Sequence, residues 1–138
     1  MQIDDHDGVL ALMRRTPGVV VRAADEREPI GRYLERNPQM SFVAQAGHGL
    51  VGCVLAGHDG RRGYLRHLVV DPDCRGRGLG AQLVQCAVEA LAGAGIDKSY
   101  CDVLVTNTEG AAFWQRIGWA RRDDVHGFSF VRSGSADA

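Results

Sequence analysis

The chain has 138 residues, of which 45% are hydrophobic and 24% charged, a composition typical of one globular domain with a substantial core. Its formal net charge of −1 gives no general attraction to nucleic acid or to an anionic membrane surface. The four cysteines form no C-x-x-C pair, which argues against a metal site or a disulfide framework and favours reduced thiols. No basic leader opens the sequence and no apolar run reaches about 18 residues, so we expect a cytoplasmic protein without a membrane span.

The first third of the chain shows two helical patterns. Acidic residues, then apolar residues at helical spacing, then basic residues predict an amphipathic helix over residues 3–15. The three valines at 19–21 predict a short extended piece. Pro29, followed by apolar residues, predicts a second helix over 28–36. The acidic residues between these two segments could meet an amine cation or form a solvated loop.

Four later segments have the composition of β-strands, namely residues 41–45, 50–57, 64–70 and 99–106. Ala46-Gly47-His48-Gly49 predicts a hairpin turn between the first two. An apolar stripe repeating every fourth residue predicts a helix over 78–92, after the third strand.

The C-terminal part continues the alternation of strands and helices. A helix is predicted over 109–117, with Asn107 or Thr108 as its cap, and a final hairpin over 119–123 and 127–132. Residues 133–138 are small and polar, which predicts a disordered tail. The order of elements predicts an α/β fold with a mixed sheet, in a single domain spanning residues 1–132.

The stretch from Leu68 to Ala81 is the most informative for function. An apolar run ends at Pro72, a basic glycine-rich loop follows, and a helical pattern then begins. Glycines at 76, 78 and 80 permit positive φ, so backbone N–H groups can converge on one anion, and the helix N-terminus adds further donors. Arg75 and Arg77 supply guanidinium groups suited to phosphate oxygens. Arginines at 61, 62 and 66 predict that the positive field extends upstream of the loop, although Arg61 and Arg62 could instead form a solvated basic face.

The loop differs from two other phosphate-binding motifs. It ends Gly78-Leu79-Gly80-Ala81, without the Gly-Lys-Ser/Thr ending of a nucleotide P-loop. Its glycines also lack the full Gly-x-Gly-x-x-Gly spacing of a dinucleotide-binding fold. The sequence therefore favours another phosphate-bearing ligand, the alternative being a basic turn that binds no ligand.

Two motifs resemble those of the GNAT superfamily of N-acetyltransferases. Arg75-Gly76-Arg77-Gly78-Leu79-Gly80 is similar to the family's acetyl-CoA pyrophosphate loop, Arg/Gln-x-x-Gly-x-Gly/Ala. The block NTEGAAFWQRIGW at 107–119 resembles the family's Asn-x-x-Ala-x-x-Leu/Phe-Tyr-x-x-x-Gly-Phe. The resemblance implies a central, mostly antiparallel sheet with flanking helices, in which strands 64–70 and 99–106 splay apart.

The resemblance also implies a reaction. The expected activity is transfer of the acetyl group of acetyl-CoA to a primary amine of a small molecule or peptide, by direct attack in a ternary complex. Acetyl-pantetheine would run along the backbone of Leu68, Val69 and Val70, with Asn107 reaching its arm. The pyrophosphate would lie on Arg75, Gly76, Arg77, Gly78, Leu79, Gly80 and Ala81. The alternative is a non-catalytic acyl-CoA-binding sensor or interaction module of the same fold.

The catalytic groups are less defined by this pattern. The family usually has tyrosine where this chain has Trp114, and an indole cannot act as a general acid. We therefore expect Trp114 to pack against the pantetheine or the core. On the strand 64–70 only His67 titrates near neutrality, which makes it the candidate general base, directly or through a water.

Several alternatives remain open from the sequence. His67 could instead be structural or exposed, and His126, or Glu26 or Glu28 through a water, could serve as the base. The acceptor amine is not specified, and either a monomer or a homodimer is expected.

Overall fold

The chain is described over residues 1–47 and 49–138 by a computed structural model. Its contacts divide these residues into two compact units, Met1–Asp102 and Val103–Ala138. The hairpin turn predicted at 46–49 includes His48, which lies outside the described residues. The single domain over 1–132 and the disordered tail at 133–138 stay predictions.

The first unit is built on a four-stranded mixed sheet. Its strands lie in the spatial order β1 (Phe42–Ala46), β2 (Gly49–His58), β3 (Gly63–Val70) and β4 (Ser99–Cys101). The first three strands pair antiparallel, and β4 pairs parallel to β3. A parallel pair requires a crossover connection, and the helix α3 (Leu79–Gly93) supplies it. The predicted mixed α/β sheet is thereby confirmed.

Helices cover both faces of this sheet, which explains why residues 51–57 of β2 are all buried. On one face, Leu12 and Met13 of α1 (His6–Arg15) form a core cluster with Cys53. On the other face, a Cβ added to Gly52 would lie only 3.0 Å from Leu83 Cδ1 of α3. This small residue therefore lets the long helix approach the sheet.

The two helices predicted in the N-terminal part are both formed, but their first residues differ from the predicted ones. A short 3-10 turn, Ile3–Asp5, precedes α1, and α2 spans Arg27–Arg36. The three valines at 19–21 form no strand. Val19 and Val21 pack against the core cluster instead, so burial rather than pairing explains their apolar character.

Two predictions for the C-terminal part are wrong. β4 ends at Cys101, so the strand predicted over 99–106 is only three residues long. The final hairpin over 119–123 and 127–132 is not formed, and Phe128 and Phe130 are 95% and 90% exposed. Alternating β-forming residues give a strand only when a partner completes the hydrogen bonds, and no ladder is made here. The predicted helix is confirmed as α4 (Thr108–Arg116).

Membrane-spanning character is not seen in the described part of the chain, where no helix is both long and apolar enough to cross a bilayer.

Candidate functional site

The glycine-rich loop after β3, residues 71–78, is called the anion loop, because its backbone has the geometry of an anion site. Gly76 and Gly78 have φ values of +75° and +78°, a left-handed conformation that glycine adopts at little cost. Gly78 is also the N-cap of α3, and the first intrahelical bond runs from Gln82 N–H to its carbonyl at 3.0 Å. The N–H groups of residues 79–81 therefore have no partner within the helix. The predicted arrangement of strand, loop and helix N-terminus is confirmed.

The charges around the loop leave it positive. Asp71, which precedes it, receives hydrogen bonds from the Arg15 guanidinium at 3.0 and 3.3 Å. The Arg75 side chain turns back on the strand, with Nε donating to the Val70 carbonyl at 3.2 Å. Arg77 is exposed, so its guanidinium can reach a ligand phosphate.

The three upstream arginines do not extend this positive field, contrary to expectation. Arg61 and Arg62 lie in the loop that enters β3, where their backbone N–H groups donate to the Asp59 carboxylate. These hydrogen bonds lower the pKa of the Asp59 carboxyl, and the bond from Arg62 has the largest effect. β3 separates them from the anion loop by about 25 Å, at roughly 3.3 Å per residue. Arg66 pairs with Asp102.

A β-bulge interrupts β3 just before its last residues. Leu55 pairs with Arg66 and Cys53 with Val69, so His67 and Leu68 together lie opposite the single residue Val54. His67 has φ +45°, a left-handed conformation that a residue with a side chain rarely adopts. The Cys53 thiol donates to the displaced His67 carbonyl at 3.5 Å. Bulges redirect side chains and are frequent beside active sites.

The bulge coincides with the end of the parallel ladder. The last pair between β3 and β4 is Leu65 with Cys101. Within residues 1–102, no strand pairs with β3 on the β4 side after this point, so its last residues keep one free edge while β2 pairs with the other. The backbone of Leu68, Val69 and Val70 lies on this edge, directly before the anion loop.

The His67 side chain points to a buried carboxylate. His67 Nε2 lies 2.7 Å from Asp25 Oδ1, and 26% of the His67 side chain is exposed, against 7% for Asp25. The sequence marked Asp25 only as one of several acidic residues near the second helix. A pairing across 42 positions leaves no local pattern, so sequence reasoning missed it.

The acidic segment around Asp25 does not form a free cluster for an amine cation. Asp25 is paired with His67, and Glu28 is paired with Arg32. Glu26 is exposed and is the N-cap residue of α2. The contact of this segment with the candidate site is therefore the hydrogen bond between Asp25 and His67 of β3.

Asn107 and Trp114 lie in the second unit and have local roles there. Asn107 caps α4, with its side-chain oxygen accepting the Gly110 N–H at 2.8 Å. The Trp114 ring packs against Trp119, with centroids 4.6 Å apart, and edge-on against Phe113. The predicted cap is thus confirmed, whereas the contacts of these two residues with acetyl-CoA stay predictions.

Comparison with known proteins agrees with the geometry. The sequence profile described as "Acetyltransferase (GNAT) family" matches residues 7–119. The chain belongs to the GNAT acetyltransferase family. An acetyltransferase of Pectobacterium atrosepticum is 30% identical over 123 residues, which cover 88% of this chain and 86% of that relative. GNAT enzymes take the acetyl group from acetyl-CoA, which is therefore the cosubstrate of this N-acetyltransferase.

Solved structures show the same fold as this GNAT protein. The PaiA N-acetyltransferase of Thermoplasma acidophilum, in complex with coenzyme A, superimposes with a TM-score of 0.77 at 18% identity, covering 89% of this chain and 88% of that one. The aminoglycoside N-acetyltransferase AAC(6')-Iy, in complex with CoA, gives 0.74 at 20% identity, with 94% and 91% covered. These similarities confirm the fold that the two motifs implied.

The left-handed backbone at His67 predicts an unusual order of stabilities. Glycine normally destabilises a strand relative to alanine by roughly 0.5–1 kcal/mol. At φ +45° the order should reverse, and His67→Gly should be more stable than His67→Ala by about 1 kcal/mol, because only alanine carries a Cβ. Urea unfolding of both variants measures the difference.

The matched control is the same pair of changes at Arg66, the preceding residue, whose φ is not positive. There alanine should be the more stable variant. A glycine variant at 67 that is less stable than the alanine variant would contradict the strained bulge.

Proposed function

We propose that this enzyme transfers the acetyl group to a primary amine by direct attack in a ternary complex, with His67 as the general base. The observation that supports this most is the order of features along one strand. The bulged His67, the free edge at Leu68, Val69 and Val70, and the anion loop follow one another within fifteen residues, 67–81. A base, a thioester and a pyrophosphate would need this same order along an extended cosubstrate.

The cosubstrate would be held mainly by backbone groups. The pantetheine amides would bond the free edge of β3 as an added strand does, because β4 stops short of this edge and leaves it unpaired within residues 1–102. The pyrophosphate would accept the N–H groups at the start of α3, aided by Arg75 and Arg77. This binding fixes the thioester beside the bulge, and such positioning can remove roughly 7–11 kcal/mol of the barrier.

The chemistry then needs one base. An ammonium acceptor loses a proton to His67 or to a water it orients, and the neutral nitrogen attacks the thioester carbonyl. The C–N bond forms, the C–S bond breaks, and a second proton leaves the nitrogen. The CoA thiolate takes up one proton, so the net products are the acetamide, CoA thiol and one released proton. Water or the imidazolium supplies the thiolate proton, because the Trp114 indole cannot.

Two of the cysteines are poor candidates for an acyl-enzyme intermediate. Burial raises the pKa of Cys53 to about 12 and that of Cys101 to about 11. Both thiols therefore stay protonated near neutral pH, and the thiolate is the nucleophilic form. This favours direct transfer between the two bound substrates.

The anion loop gives the first test of this proposal. Gly78→Val forces a β-branched residue into a left-handed conformation at the N-cap of α3, and Arg75→Ala removes a guanidinium. Each should weaken CoA binding by at least about 1–2 kcal/mol, the scale of a lost charge-assisted hydrogen bond. Calorimetric titration with CoA measures the change.

Arg61→Ala is the control, because it removes the same charge at the opposite end of β3 and should leave CoA affinity unchanged. Equal affinities in all three variants would exclude the loop as the pyrophosphate site.

Release of CoA thiol in the presence of an amine panel gives the second test. The panel contains an aminoglycoside, a polyamine, an amino sugar and a peptide with a free N-terminus. At least one should accelerate thiol release, with a rate that falls on the acid side because protonated imidazole cannot accept a proton. His67→Gln should remove this acid limb and lower kcat by about 100-fold, the lower range for general base catalysis.

Two outcomes of that assay would count against the proposal. CoA binding without thiol release from acetyl-CoA would favour the sensor function. An acid limb that persists in His67→Gln would place the base on another residue.

A further inference from the structure

Both oxygen atoms of the Asp25 carboxylate, which faces His67, take part in hydrogen bonds. Its Oδ1 meets His67 Nε2 at 2.7 Å, and its Oδ2 accepts the backbone N–H of Arg22 at 2.8 Å. Only 7% of the Asp25 side chain is exposed. A carboxylate is buried to this extent only when hydrogen bonds replace the water it loses, so the bond to His67 is part of what permits its burial.

Asp25 is also held on its backbone side. It ends the 3-10 turn Ala23–Asp25, and its carbonyl accepts a hydrogen bond from Nε2 of the buried His6 at 2.9 Å. His6 begins α1, the helix that packs on β2. The carboxylate therefore has a fixed position relative to the bulge.

The direction of the hydrogen bond defines the tautomer of His67. An ionised carboxylate only accepts, so a neutral imidazole carries its proton on Nε2 and keeps the lone pair on Nδ1. Nδ1 has no hydrogen-bond partner among residues 1–47 and 49–138, and a quarter of the side chain is exposed. Nδ1 is thus the nitrogen open to an approaching amine.

We propose that Asp25 is a positioning residue of the acetyl transfer: it fixes His67 in the tautomer whose Nδ1 accepts the amine proton, and it stabilises the resulting imidazolium. The inference rests on the function proposed above. The N–H bond of the amine breaks and an N–H bond forms at Nδ1. The proton does not pass to Asp25, which keeps its hydrogen bond to Nε2–H, and Nδ1 later releases the proton to the CoA thiolate or to water.

The bulge strain supports this assignment. A non-glycine residue at φ +45° costs free energy and persists only where its surroundings impose it. The Asp25 bond and the Cys53 thiol hold the side chain and the carbonyl of His67 from different elements. Packing alone would be served as well by a regular strand with an apolar side chain.

The other ionisable groups near the bulge do not replace Asp25. The Cys53 thiol, on β2, contacts the His67 carbonyl and is kept protonated by burial, which raises its pKa to about 12. Arg66, the preceding residue, pairs with Asp102 and lies over the Tyr64 ring. His6, from α1, reaches the Asp25 carbonyl. In the described part of the chain, Asp25 is the only carboxylate within hydrogen-bond distance of the imidazole.

A double-mutant cycle on thiol release tests the proposal. Asp25→Asn keeps the size of the side chain and removes its charge, and should lower kcat by about 10-fold or more, as expected when a group that orients a catalytic imidazole is lost. The KM for acetyl-CoA should not change. The acid limb of the pH profile should move to lower pH, because the imidazolium loses its negative neighbour. In the His67→Gln background, Asp25→Asn should have no further effect on kcat.

Glu35→Gln is the matched control, since it removes an exposed carboxylate from α2 and should leave all these quantities unchanged. CoA affinity, measured on every variant, shows whether the fold is retained. A purely structural Asp25 would lower the rate at all pH values without moving the limb, and its effect would add to that of His67→Gln. That result would overturn the inference.

The outcomes separate this inference from the function on which it rests. If His67→Gln leaves kcat and the acid limb intact, the assigned base is wrong. If His67→Gln behaves as expected but Asp25→Asn does not move the limb, only the role of Asp25 is wrong.

The unmodified enzyme offers a test that does not depend on any variant folding. Nitrogen-15 NMR of the imidazoles above the acid limb should show His67 protonated at Nε2 and unprotonated at Nδ1. The opposite tautomer would overturn the proposal.

Discussion

The bulge in β3 is the constraint on which the rest of the site depends. By placing His67 and Leu68 opposite the single residue Val54, it shifts the register of the last residues of the strand against β2. The parallel ladder with β4 ends at Leu65, so within residues 1–47 and 49–102 the following backbone keeps one free edge, on the side away from β2. The same extra residue directs the His67 side chain to Asp25. The bulge thus places the directed imidazole directly beside the free edge of the strand.

The charge at the C-terminal end of β3 depends on the ion pair of Asp71, the residue that follows the strand. Asp71 would oppose an anionic ligand, but its charge is compensated by Arg15 from α1. This pair also fastens the helix to the end of the strand, and Arg15 donates in addition to the Leu50 carbonyl at 2.9 Å. Of the two arginines in the loop, Arg77 is exposed, whereas Arg75 donates through Nε to the Val70 carbonyl. Arg61 and Arg62 lie at the other end of β3, about 25 Å from the loop, so charge counted along the sequence overstated the positive field around it.

The features that could be predicted from the sequence are those that depend on residues only a few positions apart. The glycines at 76 and 78, the apolar stripe of α3 and the Asn107 cap each act within a few residues, and each was predicted correctly. The bulge carried no such signal, because its left-handed residue is histidine and glycine is the usual marker of that conformation. The contact between Asp25 and His67 joins distant segments and requires the folded chain. The strand over 99–106 was overestimated because Leu104 and Val105 favour strands by composition, whereas pairing is decided by the neighbouring strand.

The central claim is that the free edge of β3 and the loop that follows it hold the cosubstrate through backbone N–H groups. Hydrogen–deuterium exchange of the whole chain, with and without saturating CoA, tests this directly, because amides without a partner exchange rapidly until a ligand accepts them. CoA should slow exchange in the segments 68–70 and 76–81 and leave 59–62 unchanged. Saturating CoA that protects other segments, while 68–81 exchanges as in the free protein, would contradict the account.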